Sequence, residues 1–234
     1  MKSSGIKTST VLASFLLAAC LSMHAEVKLP AIFSDGMVMQ QQTNANLWGM
    51  ATPNKKVTVT TGWNGKQYAV TADKNGSWKL SVSTPEAGGP YTITFDDGTP
   101  KTLNNILIGE LWLCSGQSNM EMALGSCNDS VAIKEADYST IRFVRIPYLC
   151  KDSPQTDMDV ERLAWNICTP YSAGGCSAVG FYFARRVSKE MGVPIGILIS
   201  SIGGTNIEKW MPQSSFFRNA ILSEYYQKIE NWME

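Results

Sequence analysis

Residues 106–124 read ILIGELWLCSGQSNMEMAL, and a change of pattern inside this stretch decides the fold. Residues 106–114 form an apolar run of the kind a buried strand needs. Ser115-Gly116-Gln117-Ser118-Asn119-Met120 follows at once, a small polar turn opening into a segment that suits a helix. A strand ending in a sharp turn holds the turn's serine at the carboxyl edge of a sheet, beside the free N–H groups of a helix start. Acyl transfer needs those two things first, an exposed oxygen nucleophile and donors for an oxyanion. Ser118 is therefore the candidate nucleophile. The same residues also suit an ordinary turn serine or a helix N-cap. Met120 stands where the lipase-type G-x-S-x-G would have its second glycine, so the local pattern leaves both readings open.

Downstream the grammar is α/β. Residues 141–146 alternate as a half-buried strand, and 164–168 form a short apolar piece. Residues 178–191 predict a helix, with Ser177 as N-cap and Gly192 and Pro194 as the stop. Phe181, Phe183, Ala184 and Val187 give it an apolar stripe. Residues 195–199, all apolar, predict a buried parallel strand. A helix between two such strands is the βαβ unit. Ser200-Ser201-Ile202-Gly203-Gly204 then leaves the sheet, and a glycine pair there allows close backbone approach and points amides at an anion. A plain tight turn fits equally well. The tail, 220–232, suits an amphipathic helix.

Upstream the pattern is all-β. Short alternating runs near 47–49, 57–60, 68–71, 77–82 and 91–95 are separated by Asn64-Gly65, Asn75-Gly76, Gly88-Gly89-Pro90 and Asp97-Gly98. Short strands with such turns predict a small β-sandwich. Trp48, Trp63 and Trp78 are read as core aromatics in preference to sugar-stacking platforms, and Trp63 is the best candidate for exposure.

The composition is that of a globular protein: 234 residues, 44% apolar and 17% charged, with a formal net charge of zero. Nothing in it suggests a nucleic-acid partner. Lys2 and Lys7 precede a short apolar run, 11–19, which reads as a targeting segment too short to span a bilayer. Leu17-Ala18-Ala19-Cys20 suits a lipobox that would lipidate Cys20, and Ala25 suits simple cleavage, the preferred reading. Both place the protein outside the cytoplasm, secreted or periplasmic, or else lipid-anchored. Beyond Cys20 five cysteines remain, an odd number, so one at least is free or pairs between chains. Cys114 reads as a buried thiol, and Cys168 and Cys176 are near enough in sequence to pair. No C-x-x-C occurs, which argues against zinc.

The segment GELWLCSGQSNMEMAL resembles the nucleophile block of the sialate O-acetylesterases, a carbohydrate-esterase branch of the SGNH/GDSL-type hydrolases. IGGTNIEKW resembles that family's second block, and KLPAIFSDGMVMQQ the start of the β-sandwich that precedes its esterase domain. The resemblance implies Ser118 as nucleophile, with the N–H groups of Ser118 and Gly204 as oxyanion donors and Gly203 as the neighbouring alternative. It implies no metal or organic cofactor. It implies a signal peptide over 1–25, a sandwich over 26–103 and the first part of an SGNH-type, flavodoxin-like α/β/α esterase domain over 104–234. The activity implied is hydrolysis of O-acetyl esters on sialic acid or related sugars.

The family's middle Gln-Gly-Glu block and late Asp-x-x-His block are missing from these residues. The single histidine, His24, lies in the targeting segment. The sequence therefore predicts an N-terminal portion of an esterase, crippled alone because a serine hydroxyl needs a base. The rivals are a non-catalytic carbohydrate-binding scaffold and an esterase for another acetylated polysaccharide such as xylan.

Overall fold

The computed structural model describes residues 26–149 and 163–233 and, between them, 153, 155, 157, 158 and 160. The targeting segment with Cys20 and His24, and also Cys150, lie outside the described residues.

Seven strands make the N-terminal part: β1 (Val38–Gln40), β2 (Asn44–Met50), β3 (Lys56–Thr61), β4 (Gln67–Thr71), β5 (Ser77–Ser83), β6 (Gly88–Asp96) and the first half of β7 (Lys101–Gly116). β2 and β5 form a two-stranded antiparallel sheet. β4, β3, β6 and β7 are neighbours in a larger one. Alternation sorts their side chains. Val57 and Val59 of β3 and Ile93 and Phe95 of β6 are fully buried, in one core with Leu47, Trp78 and Val82 of the small sheet. The rings of Trp78 and Phe95 lie 5.9 Å apart. Trp63 is half-buried, and its indole N–H donates to the Ser83 carbonyl at 3.1 Å. Its turn thus leaves it less exposed than its Gly and Asn neighbours suggest.

β7 starts five residues earlier than its apolar run, because Lys101 and Thr102 pair with Phe95 and Thr94. It therefore crosses the 103/104 junction without a break. The remaining elements are α1 (Ser118–Glu121), α2 (Ser130–Lys134), β8 (Tyr138–Arg145), β9 (Asn166–Cys168), α3 (Ala178–Met191), β10 (Ile195–Ser201), α4 (Gln213–Phe216) and α5 (Ala220–Met233). β10 lies between β7 and β8, parallel to both, and β9 closes that side antiparallel. One eight-stranded sheet thus runs through both parts of the chain. The parallel strands stand in chain order 1-3-2, whereas a flavodoxin-like sheet sets its first strand between the second and third. The flavodoxin-like order expected from the sequence is in that respect not the one observed among the described strands.

The α3 expectation holds to the residue. Ser177 accepts from the Gly180 N–H at 3.2 Å, and Gly192 closes the helix in the left-handed region at φ 67°. Gly180 lets α3 lie close on the sheet: a Cβ there would stand 3.3 Å from Cys114 Sγ and 3.4 Å from Ile197 Cγ2. Phe181 and Ala184 are fully buried beneath it, while Phe183 stays part-exposed against Trp112 at 4.9 Å. Cys114, Cys127, Cys168 and Cys176 are free thiols, so the Cys168–Cys176 pairing is not formed. Burial pushes the Cys168 thiol up to about 11 and Cys176 higher still, with Cys114 raised for the same reason.

Candidate active site

β7 and β10 are parallel and in register, Ser115 opposite Ser200 and Gly116 opposite Ser201, so their two following turns leave the sheet at the same carboxyl edge. Gly116 makes the first turn possible with φ at 140°. Gln117 follows as the residue before the helix, and α1 begins at Ser118. The Ser118 side chain is exposed, and its hydroxyl donates to Gln117 Oε1 at 3.2 Å. The first N–H groups of α1 have no helical partner, as at any helix start.

The second turn is laid against the first. The Ile202 N–H donates to the Gly116 carbonyl at 3.0 Å. A Cβ on Gly203 would lie 3.8 Å from both Cα and Cβ of Ser118. The Gly203 N–H donates to Glu121 Oε2 in a short hydrogen bond, which fastens the glycine loop to α1. A side chain at Gly203 would meet that carboxylate oxygen at 2.7 Å. Gly204 is exposed at φ 74°, with no atom within 4 Å of where its Cβ would be. Its N–H has no partner among the described residues. Of the two glycine amides read from the sequence, Gly203 is thus engaged and Gly204 is free. The loop beyond is braced from within: Thr205 Oγ1 donates to the Ile202 carbonyl at 2.7 Å, and the Trp210 indole N–H to Thr205 Oγ1 at 2.9 Å.

Two residues at this edge escaped the sequence reading. Glu121 was in plain view, one helical turn after Ser118, but its partner lies 82 residues away. Arg145 ends β8 and donates through Nη2 to the carbonyls of Glu121 (3.4 Å) and Gly175 (3.2 Å). Nothing local marks either contact. No imidazole stands among the described residues, the only histidine being His24. Nor is any group of three His, Cys, Asp or Glu placed to hold a metal among them.

The Ser118 turn and the Gly203-Gly204 turn thus lie together at the sheet's carboxyl edge. The family model described as "Carbohydrate esterase, sialic acid-specific acetylesterase" matches residues 108–231, more than half of the chain. The chain belongs to this family.

The match to this sialic acid-specific acetylesterase family takes in both turns, 115–118 and 202–204. Among curated relatives, sialate O-acetylesterase from Mus musculus is 32% identical over 83% of this chain and 40% of its own length. The Homo sapiens protein of the same name is 28% identical over 78% of the chain and 38% of its own length. A solved structure titled as a novel carbohydrate acetylesterase from Xanthomonas citri superposes with a TM-score of 0.77 at 34% identity, covering 83% of this chain and 44% of that one. The chain spans about two fifths of the length of the curated relatives it matches. No described helix is long and apolar enough to cross a membrane.

Proposed function

We propose that the chain carries the nucleophile and oxyanion parts of a carbohydrate O-acetylesterase. Ser118 Oγ attacks the acetyl carbonyl of an O-acetylated sugar, and the N–H groups of Ser118 and Gly204 receive the tetrahedral oxyanion. The tetrahedral intermediate collapses by breaking the bond to the sugar oxygen, which leaves as the free hydroxyl with the proton given up by Ser118, and water then hydrolyses the acyl-enzyme to acetate and free Ser118. The observation that carries this reading is the Ile202–Gly204 turn pressed against Ser118 and fixed there by the Gly203–Glu121 bond, with the Gly204 amide left unoccupied. The sandwich-plus-esterase division near residue 103 and export from the cytoplasm belong to the same proposal.

Gln117 Oε1 is a neutral acceptor and cannot take the Ser118 proton as an imidazole would. The base therefore has to come from outside the described residues, and without it turnover should fall by several orders of magnitude. Added imidazole supplies that base and tests the nucleophile directly. Acetate release from an O-acetylated sialic acid should rise with imidazole for the wild-type chain by about tenfold or more over Ser118→Ala at the same imidazole. Equal imidazole-dependent release by the two proteins would remove Ser118 from the reaction. Binding of the sugar with no Ser118-dependent release at any imidazole concentration would favour the non-catalytic carbohydrate-binding reading.

A further inference from the structure

The small β2–β5 sheet carries a cleft that shares no residue with the two turns at the Ser118 edge. Alternation along β2 buries Leu47 and Gly49 and turns Asn46, Trp48 and Met50 to the other face. On β5 it buries Trp78 and turns Ser77, Lys79 and Ser81 outward. Trp48 stands directly opposite Lys79, and Asn46 opposite Ser81. Trp48 is thus on the solvent side of its sheet, and Phe33 packs edge-on against its ring at 4.6 Å, which fixes the indole's orientation. The cleft over this face measures about 570 Å³, within the about 300–1,000 Å³ of ordinary ligand sites. Trp48, Lys28, Asn46, Lys79 and Asp157 line it, and Trp78 reaches it from beneath. Several polar groups there lack partners. Trp78 is 2% exposed, yet its indole N–H meets no acceptor among the described residues. That edge of the indole lies by Gly49: Cε2, the carbon bonded to the nitrogen, is 3.3 Å from where a Gly49 Cβ would stand. Buried donors are nearly always paired, so this one asks for an acceptor. Lys28 and Lys79 pair with no carboxylate among the described residues. Asn46 Oδ1 accepts from Ser81 Oγ at 2.8 Å, which leaves its NH2 group free to donate. Asp157 Oδ1 accepts from the N–H groups of Ala31 and Met158, which leaves Oδ2 free to accept.

We propose that this cleft is a second, non-catalytic binding site that holds a chain of pyranose sugars, with Trp48 as its platform. A pyranose ring has a C–H face that stacks on an indole and a rim of hydroxyls that both donate and accept. The cleft offers the matching set: an indole, ammonium and amide donors around it, and a carboxylate acceptor. A sugar oxygen seated there also gives the Trp78 N–H its partner. A polypeptide would add a strand to a sheet edge instead. That route is closed at this end of β2, where the Lys28 N–H donates to the Met50 carbonyl at 2.8 Å and the Met50 N–H to the Lys28 carbonyl at 2.9 Å. The open surface is the sheet's face, not its edge. This site goes beyond the esterase reading and does not depend on it.

The test is calorimetric titration of the whole chain with three unacetylated hexasaccharides: xylohexaose and mannohexaose, which are neutral, and hexagalacturonate, which is acidic. The wild-type chain should bind at least one of them, and Ser118→Ala should bind it equally well. Trp48→Ala should weaken that binding about tenfold or more, while Trp48→Phe, which keeps an aromatic face, should lose less. Lys79→Ala, an exposed change that spares the core, should weaken it about threefold or more and keeps the test valid if Trp48→Ala fails to fold. No binding of any of the three sugars, or binding that survives both Trp48→Ala and Lys79→Ala, would overturn the proposal. Binding lost in Ser118→Ala would also overturn it, by placing the sugar at the Ser118 edge. Trp48-dependent binding without Ser118-dependent acetate release would leave this site standing and fell the esterase reading, and the reverse result would do the opposite.

Discussion

At the scale of single residues, Glu121 joins the two halves of the candidate site. Its backbone starts in the helix that begins at Ser118, and its carboxylate holds the glycine loop across from it. Removing that carboxylate leaves Ser118 in place and frees the loop to move. Misplacing reacting groups by about 1 Å can cost about 100-fold. Glu121→Ala should therefore lower imidazole-dependent acetate release by roughly 10- to 100-fold, while Glu121→Gln, whose amide oxygen still accepts from Gly203, should lose far less. If both variants keep wild-type release, the clamp has no part in the site. The strand-end turn and the glycine pair were legible as local chemistry, and it was the family resemblance that put the proposed roles on Ser118 and Gly204. The sequence was silent on Glu121 and Arg145 because each acts through partners dozens of residues away.

At the scale of elements, helix boundaries were legible and strand boundaries less so. The ends of α3 are written in Ser177 and Gly192, whose capping is local. The start of β7 is not written in its apolar run, since Lys101 and Thr102 join the strand only through pairing with β6. Ser177 also does something its sequence position does not announce. Its hydroxyl caps Gly180 and donates to the Met120 carbonyl at 2.6 Å, so the N-terminus of α3 is tied to the helix carrying Ser118. Ser177→Ala removes the cap, at about 1 kcal/mol, and leaves a carbonyl short of its donor, at about 1–3 kcal/mol. Chemical denaturation should show a loss of roughly 2–4 kcal/mol from these terms together. A loss within about 0.5 kcal/mol, the range of ordinary surface changes, would mean that neither bond matters to stability.

At the scale of the whole molecule, the order of strands and the bridge made by Arg142 between β8 and the N-terminal part were beyond sequence reading, because pairing partners and buried ion placement are long-range. One edge of β7 is left partly unsatisfied. β6 and β10 pair in succession with one edge of β7, while β1 takes the other: the Leu107 N–H donates to Met37 and the Gln41 N–H to the Gly109 carbonyl. That second edge continues past β1. The Leu111 N–H is met by Gln40 Oε1 at 2.9 Å, and after it the backbone groups of Leu113 and Ser115 have no partner among the described residues. Leu113 is 65% exposed and Trp112, on the opposite face, 42%. An apolar strand edge with free N–H and C=O groups recruits other chains, and a charge on it is the usual remedy. The chain should therefore self-associate as its concentration rises, seen as an increasing sedimentation coefficient. Leu113→Lys should keep it monomeric over the same range, with stability changed by no more than about 0.5 kcal/mol because the side chain it replaces is mostly in water. Association that persists in the lysine variant would place the sticky surface elsewhere, and a wild-type chain monomeric throughout would mean that this edge is satisfied in solution.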